Sequence, residues 1–203
     1  MRSVPPLVSK GLNIDRRLPR SFYRRSVLDV APDLLGKILV RRKGTALTAG
    51  RIVEVEAYGA GDDAASHAFG GPRERNRMMF GEPGFAYVYF IYGMYYCVNV
   101  VCEERGIAGA CLIRALEPVI GMDVMKKRRG MNDPVRLTSG PGKLCIAMAV
   151  DRALNGADFL GQTLWIADGG QTGQPRRSRR VGIRKATDRL WRFFDGDSPY
   201  VSK

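Results

Sequence analysis

The sequence predicts a mixed α/β (α+β) fold in one domain with a protruding β-hairpin. The clearest sign is residues 85–101, Phe-Ala-Tyr-Val-Tyr-Phe-Ile-Tyr-Gly-Met-Tyr-Tyr-Cys-Val-Asn-Val-Val. Two runs of β-branched and aromatic residues flank Gly93 there, the pattern of antiparallel strands joined by a tight hairpin. Strand-period segments are interspersed with helical ones elsewhere along the chain. No repeat or linker divides the 203 residues, and a 45% hydrophobic content suits one sizeable core.

Taken in order, residues 1–20 mix Pro, Gly and basic residues without periodicity and read as an arm or strap. The remaining 21–203 read as the domain. Val30–Gly36 looks like a short helix, with Pro32 in its first turn and Gly36 ending it, followed by a strand at Lys37–Arg42. Gly44 and Gly50 bracket a turn. Alternation from Arg51 then places Ile52, Glu54, Glu56 and Tyr58 on one strand face, with Val53, Val55 and Ala57 on the other. Residues 59–83 mix Gly, Pro and Asp with His67 and with Arg73, Arg75 and Arg77, the composition of a long functional loop.

In the hairpin, Tyr87, Tyr89 and Ile91 share one face of the first strand and Tyr95, Cys97 and Asn99 one face of the second. Tyr92 and Met94 sit at the tip. An amide such as Asn99 inside an apolar strand is satisfied either by neighbouring backbone or by a ligand. Gly109–Glu117 reads as another strand, with Arg114 among apolar residues and in need of a carboxylate or anionic ligand. A helix over Pro118–Arg129 ends in four basic residues, and Ser139–Val150 holds a buried helix with an anion-friendly start. A strand near Thr163–Ala167, a mobile basic loop over Gly169–Arg180 and a last strand at Leu190–Phe194 complete the chain.

A formal net charge of +13 creates a field that attracts polyanions, of which nucleic acid and anionic membrane are the usual ones. No apolar run approaches the roughly 20 residues of a spanning helix, and the N-terminus lacks the apolar section of a secretory signal, so an intracellular protein without a membrane partner is expected. Cys97, Cys102, Cys111 and Cys145 form no Cys-x-x-Cys pair, and His67 is the only histidine. That composition argues for buried free thiols and against a zinc site or a histidine-based triad. Glu54 and Glu56 fit a solvated strand face, metal ligation with Asp62 and Asp63, or a general base beside an aromatic site. Local spacing does not choose among these. A carboxylate, stacking rings and a basic surface together suggest chemistry on a nucleotide taken out of its stack.

The sequence resembles the alkyladenine (3-methyladenine) DNA glycosylase family. The matching segments are Gly50-Arg-Ile-Val-Glu-Val-Glu-Ala-Tyr58, Ala65-Ser-His67, Tyr87–Asn99, Leu112-Ile-Arg-Ala-Leu-Glu-Pro118 and Ser139-Gly-Pro-Gly-Lys-Leu-Cys145. The resemblance implies a curved antiparallel sheet whose hairpin enters the DNA minor groove. It implies that Glu56 activates the attacking water and that Arg114 holds both. It places Tyr58, His67, Tyr89 and Asn99 in the base pocket, with Asn99 discriminating among purines. At the hairpin tip, Tyr92, with Met94 beside it, fills the gap left by the flipped nucleotide. Arg73, Arg75 and Arg77 are the expected DNA-backbone contacts. The implied enzyme is a monofunctional monomer acting on double-stranded DNA containing damaged purines. It needs no metal or cofactor, and its location is the cytoplasm or nucleoid, or the nucleus of a eukaryote.

Residue chemistry agrees with this assignment. A cationic alkylpurine gains on the order of 1–2 kcal/mol between tyrosine faces, and a carboxylate stabilises oxocarbenium-like charge while accepting a proton from water. Glu54 is expected to serve as an inactive neighbour, tolerating Glu54→Gln unless folding needs its charge. The chain departs from the family's common Arg-Thr-Pro-Arg-Asn at Pro72-Arg-Glu-Arg-Asn76, and its 169–180 segment is more basic. Two other classes fit the residues: a non-catalytic nucleic-acid-binding module using the tyrosine-rich sheet, and a metal-dependent nuclease built on Glu54, Glu56, Asp62 and Asp63.

Overall fold

A computed structural model describes residues 12–170 and 173–202. The described residues fold around strands β1 (Ile38–Lys43), β2 (Ala46–Tyr58), β3 (Ala86–Ile91), β4 (Tyr95–Val101), β5 (Ala110–Ile120), β6 (Leu164–Ala167), β7 (Pro175–Ser178) and β8 (Arg192–Asp195). Helices α1 (Arg20–Tyr23), α2 (Val27–Asp33), α3 (Met122–Arg129) and α4 (Pro141–Met148) accompany them. Every named strand pairing is antiparallel. The sheet runs β3-β4-β5-β2-β1-β6, and β8 joins β2 to β7.

Strand β2 is where this sheet forks. Residues 46–51 pair with β1, residues 54–56 with β8, and β5 lies along the other side. Besides a shift between Ala49 and Gly50, the register between β2 and β5 is interrupted twice around Glu54: Ile52 faces Leu116, Glu54 is set against Ala115, and Val55 faces Ile113. The two shifts cancel, leaving Val53 and Arg114 without a partner in that ladder. Such irregularities bend a strand and re-aim its side chains, and with the fork they give the mixed α/β domain its curved antiparallel sheet.

The shift between Ile52 and Glu54 corrects the alternation expected for β2. Ile52 lies in the main core with Val55 and Ala57, whereas Val53 packs with Ala115 and Tyr200. Glu54, Glu56 and Tyr58 still share surroundings, because both carboxylates meet Arg114 and Tyr58 bonds Glu56. Apolar residues of α2 and α4 cover one face of the sheet, around Val30, Leu34, Leu144 and Met148. On the other face, Tyr87 packs with Ala68 and Met79 from the 59–83 segment.

Several boundaries differ from the sequence reading. Ser26, whose side chain accepts from the Leu28 N–H, starts α2 three residues earlier than expected, so Pro32 falls near its end. Gly50 lies within β2 opposite Pro118, and the turn before it is Gly44-Thr45. Pro118 continues β5 instead of opening a helix; α3 begins after Gly121. The 59–83 segment contains a 3-10 stretch, Glu74–Phe80, with Asn76 and Met79 buried. Part of the expected mobile loop is strand β7, and Arg180 at its end is buried. Residues 1–11 of the expected arm lie outside the described residues, while Arg17 bridges to Ala167 and Leu18 is buried. All four cysteines are buried and free.

A side chain at Gly50 would meet fixed atoms: an added Cβ falls 2.8 Å from Leu116 Cβ and 3.2 Å from the Glu117 carbonyl oxygen. Gly50→Ala is expected to lower unfolding free energy by about 1–3 kcal/mol through overpacking. Urea titration checks this, and unchanged stability would show that the β2–β5 contact relaxes freely.

Candidate active site

Antiparallel pairing brings the hairpin's polar and aromatic residues together. Tyr87 pairs with Asn99, Tyr89 with Cys97 and Ile91 with Tyr95, so both sets expected to share a face share the same one. That face lines a cleft of about 650 Å³, whose walls also include Tyr58, His67, Arg114, the start of α4 at Gly140–Lys143 and the 181–185 segment. The sequence reading had no local signal for the 181–185 wall. It had noted the α4 start for its Ser-Gly-Pro-Gly run, without connecting it to the tyrosines.

The rings stand close enough to form a continuous aromatic surface. His67 lies 4.5 Å from Tyr89, centroid to centroid, and Tyr87 lies 5.3 Å from Tyr89. His67 Nδ1 and the Tyr87 hydroxyl are 3.0 Å apart. Burial pushes the phenol pKa values of Tyr58 and Tyr89 up, and that of Tyr87 up to about 12. Burial, and then the charge of Arg75, hold His67 below the usual histidine value. At neutral pH these four aromatic side chains are therefore uncharged. Asn99 donates its amide to the Tyr87 carbonyl at 2.9 Å, the backbone solution for a buried amide.

Beneath Tyr58 and Arg114 lies a buried charged network. The Glu56 carboxylate accepts from the Tyr58 hydroxyl at 2.8 Å, Arg114 Nη1 at 3.2 Å and the Val181 N–H at 2.6 Å. Glu54 accepts from Arg114 Nε, Arg192 Nε, and both the N–H and hydroxyl of Ser202, over distances of 2.6–3.1 Å. Neither carboxylate has exposed surface. Burial by itself disfavours the Arg114 charge, but attraction to Glu56 and Glu54 outweighs it and raises its pKa. A second buried pair braces the walls: Arg180 donates twice to Asp63, both at 2.7 Å, and lies over the Tyr58 ring at 4.6 Å.

These pairings bear on the metal reading. Asp62 is held by Arg189, Asp63 by Arg180, and Glu54 and Glu56 by Arg114, so the four carboxylates are divided among guanidinium partners. Among the described residues no group of three or more His, Cys, Asp or Glu is placed to hold a metal ion. No described helix is long and apolar enough to cross a membrane.

The remaining predicted residues lie outside the cleft floor. Ile91-Tyr92-Gly93-Met94 forms a turn closed by Met94 N–H to the Ile91 carbonyl, with Tyr92 at φ 54° and Gly93 at φ 67°. Positive φ at both central residues is the hairpin geometry that matches strand twist. It thrusts Tyr92 and Met94 outward, 76% and 63% exposed, beside Phe90, which the sequence reading had not singled out. Arg73, which caps the 3-10 stretch, and Arg75 and Arg77 within it are exposed.

Glu54 is too deeply paired to act as an inactive neighbour. A glutamine amide there presents donors to donors, so Glu54→Gln is expected to cost about 3–5 kcal/mol of stability, as breaking buried ion pairs does. A loss below about 1 kcal/mol in urea unfolding would contradict this.

Known proteins are similar in sequence to most of this chain. A family model described as methylpurine-DNA glycosylase (MPG) matches residues 21–199. Proteins provisionally named 3-methyladenine DNA glycosylase are similar across nearly their full lengths. That of Methanocella arvoryzae is 49% identical over 191 residues, covering 92% of this chain and 96% of its own. That of Alkaliphilus oremlandii is 46% identical, covering 92% and 99%, and that of Rhodopseudomonas palustris is 50% identical, covering 92% and 88%. With a family match over most of its length and relatives near half identity, this chain belongs to the methylpurine-DNA glycosylase family.

Proposed function

We propose that this chain is a DNA repair glycosylase that flips an alkylated or deaminated purine out of duplex DNA and hydrolyses its N-glycosidic bond, leaving an abasic site. It acts as a monomer on DNA inside the cell. The observation that supports this most is the aromatic cleft with Arg114 on its floor and Glu56 directly beneath, below a hairpin tip exposing Tyr92.

In this reading the base stacks among Tyr58, His67 and Tyr89. An uncharged histidine and electron-rich phenol rings attract a cationic alkylpurine without repelling it. The Asn99 amide nitrogen is already committed to Tyr87, which leaves its oxygen to discriminate among purine edges. A carboxylate has about four acceptor positions, and Glu56 uses three. The fourth takes the attacking water at the floor beside Arg114. Water oxygen bonds to the sugar C1′, its proton passes to Glu56, and the C1′–N electron pair leaves with the base. Negative charge beneath the sugar stabilises the oxocarbenium-like transition state. Tyr92 and Met94 fill the vacated stack, offsetting part of the few kcal/mol of unstacking. Arg73, Arg75 and Arg77 contact the phosphates.

A duplex carrying one hypoxanthine or ethenoadenine tests the activity: treatment with protein and then alkali is expected to cut at the lesion. Cutting without alkali indicates a nuclease, and binding without cutting a non-catalytic module.

Glu56→Gln keeps the side chain's shape but removes base and charge. Single-turnover excision should fall by about 10²–10⁴-fold while lesion binding survives, and a normal rate would overturn the mechanism. Tyr92→Ala is expected to impair excision from duplex more than from single strands, since only a duplex needs the gap filled. Equal losses on the two substrates would remove Tyr92 from that role.

A further inference from the structure

The sheet presents basic residues at both ends of the path β3-β4-β5-β2-β8-β7. Arg75 and Arg77 belong to the 3-10 stretch packed on β3 and β4, and Arg73 caps it. At the other end, β7 is an edge strand, and pairing to β8 fixes which way its side chains face. Arg176 is opposite Phe194 and Ser178 opposite Arg192. Ser178 accepts from Arg192, which reaches Glu54, so these even-numbered positions lie on the face of the charged network. Arg177 faces the other way, over the ring of core residue Phe193. The chain then passes through buried Arg180 to Arg184 and Lys185 on the cleft wall. Arg176, Arg184 and Lys185 are exposed, and none has an ion-pair partner among the described residues.

Exposed cations without carboxylate partners among the described residues, two on the cleft wall and one on the edge strand that leads into it, suit a phosphate backbone. We infer that Arg176, Arg184 and Lys185 form a second phosphate-binding surface that grips the duplex on the side of the lesion opposite Arg73, Arg75 and Arg77. Five strand spacings of ~4.8 Å separate the sheet's two ends along its contour, an upper bound of roughly seven base steps of 3.4 Å. The damaged nucleotide then enters between two anchored stretches of backbone. This extends the proposed glycosylase function, on which the placement relative to the lesion rests.

The test measures binding to an undamaged duplex, so it does not depend on excision. Equilibrium affinities of the wild type, the triple variant Arg176→Gln/Arg184→Gln/Lys185→Gln and the single variant Arg177→Gln are compared from 50 to 200 mM salt. Three lost phosphate contacts reduce the slope of log K against log salt by about 2.7, so the wild-type advantage shrinks about 40-fold across that range. Arg177→Gln is expected to keep the wild-type slope. An unchanged slope in the triple variant overturns the assignment. So does an equal loss per charge in Arg177→Gln, which would mark an effect of overall charge. Rim-dependent binding to phosphatidylserine vesicles with an unchanged duplex slope also overturns it, in favour of a membrane surface. If excision assays fail while the slope difference holds, the glycosylase reading fails and the polyanion surface stands.

Discussion

Burying two carboxylates side by side is unfavourable unless positive charge is buried with them, and this constraint organises the molecule. Glu54 and Glu56 are held by Arg114 between them and by Arg192 from the side, with Ser202 supplying neutral donors. Each donor comes from a different part of the fold: β5, β8 and the segment after it. The paired register shifts in β2 and β5 leave Arg114 outside the ladder, free to reach both acids. Loss of Arg114 or Arg192 leaves buried carboxylate charge with less compensation, so charges that build the site also support the fold.

The aromatic half of the site follows a different rule. Its tyrosines ride on β3 and β4, where pleat and register fix their spacing, whereas His67 and the 181–185 wall come from loops. Those loops are pinned by ion pairing: Asp63 and Arg180 link the segment before His67 to the segment leading into Val181, across the Tyr58 ring. A rigid sheet thus supplies stacking surfaces, and two loops tied by one buried pair supply enclosure.

How much of this was legible in the sequence depended on range. The hairpin was readable because strand periodicity and a turn glycine are local signals, and its two sets of inward residues met across the pairing. Pro118 misled because proline suits a helix start but also occurs in a strand such as β5. Pro32 misled because the cap at Ser26 carries the helix past it, so that it sits inside α2 and forgoes the backbone hydrogen bond its missing N–H would make. Ile52 was misplaced because a register shift leaves no mark in alternating residue types. Arg114 stood out locally as a guanidinium among apolar residues, but its role and that of Glu56 came from the resemblance; spacing by itself left Glu56 with three readings. The Val181 amide, the Asp63–Arg180 pair and Ser202 were missed because their partners lie over a hundred residues away, beyond any window of pattern reading.

That separation also imposes an order in time. Glu54 accepts its last two hydrogen bonds from Ser202, 148 residues further along the chain. At ~5–20 residues per second, synthesis takes roughly 7–30 s to cover that interval. In the later part of it, once Arg114 has been made, the hairpin and its tyrosines are already present, but the acid beside Arg114 still lacks donors it needs in the interior. A growing chain therefore carries the aromatic surface well before its charged floor is complete, and the buried network closes only as residue 202 docks.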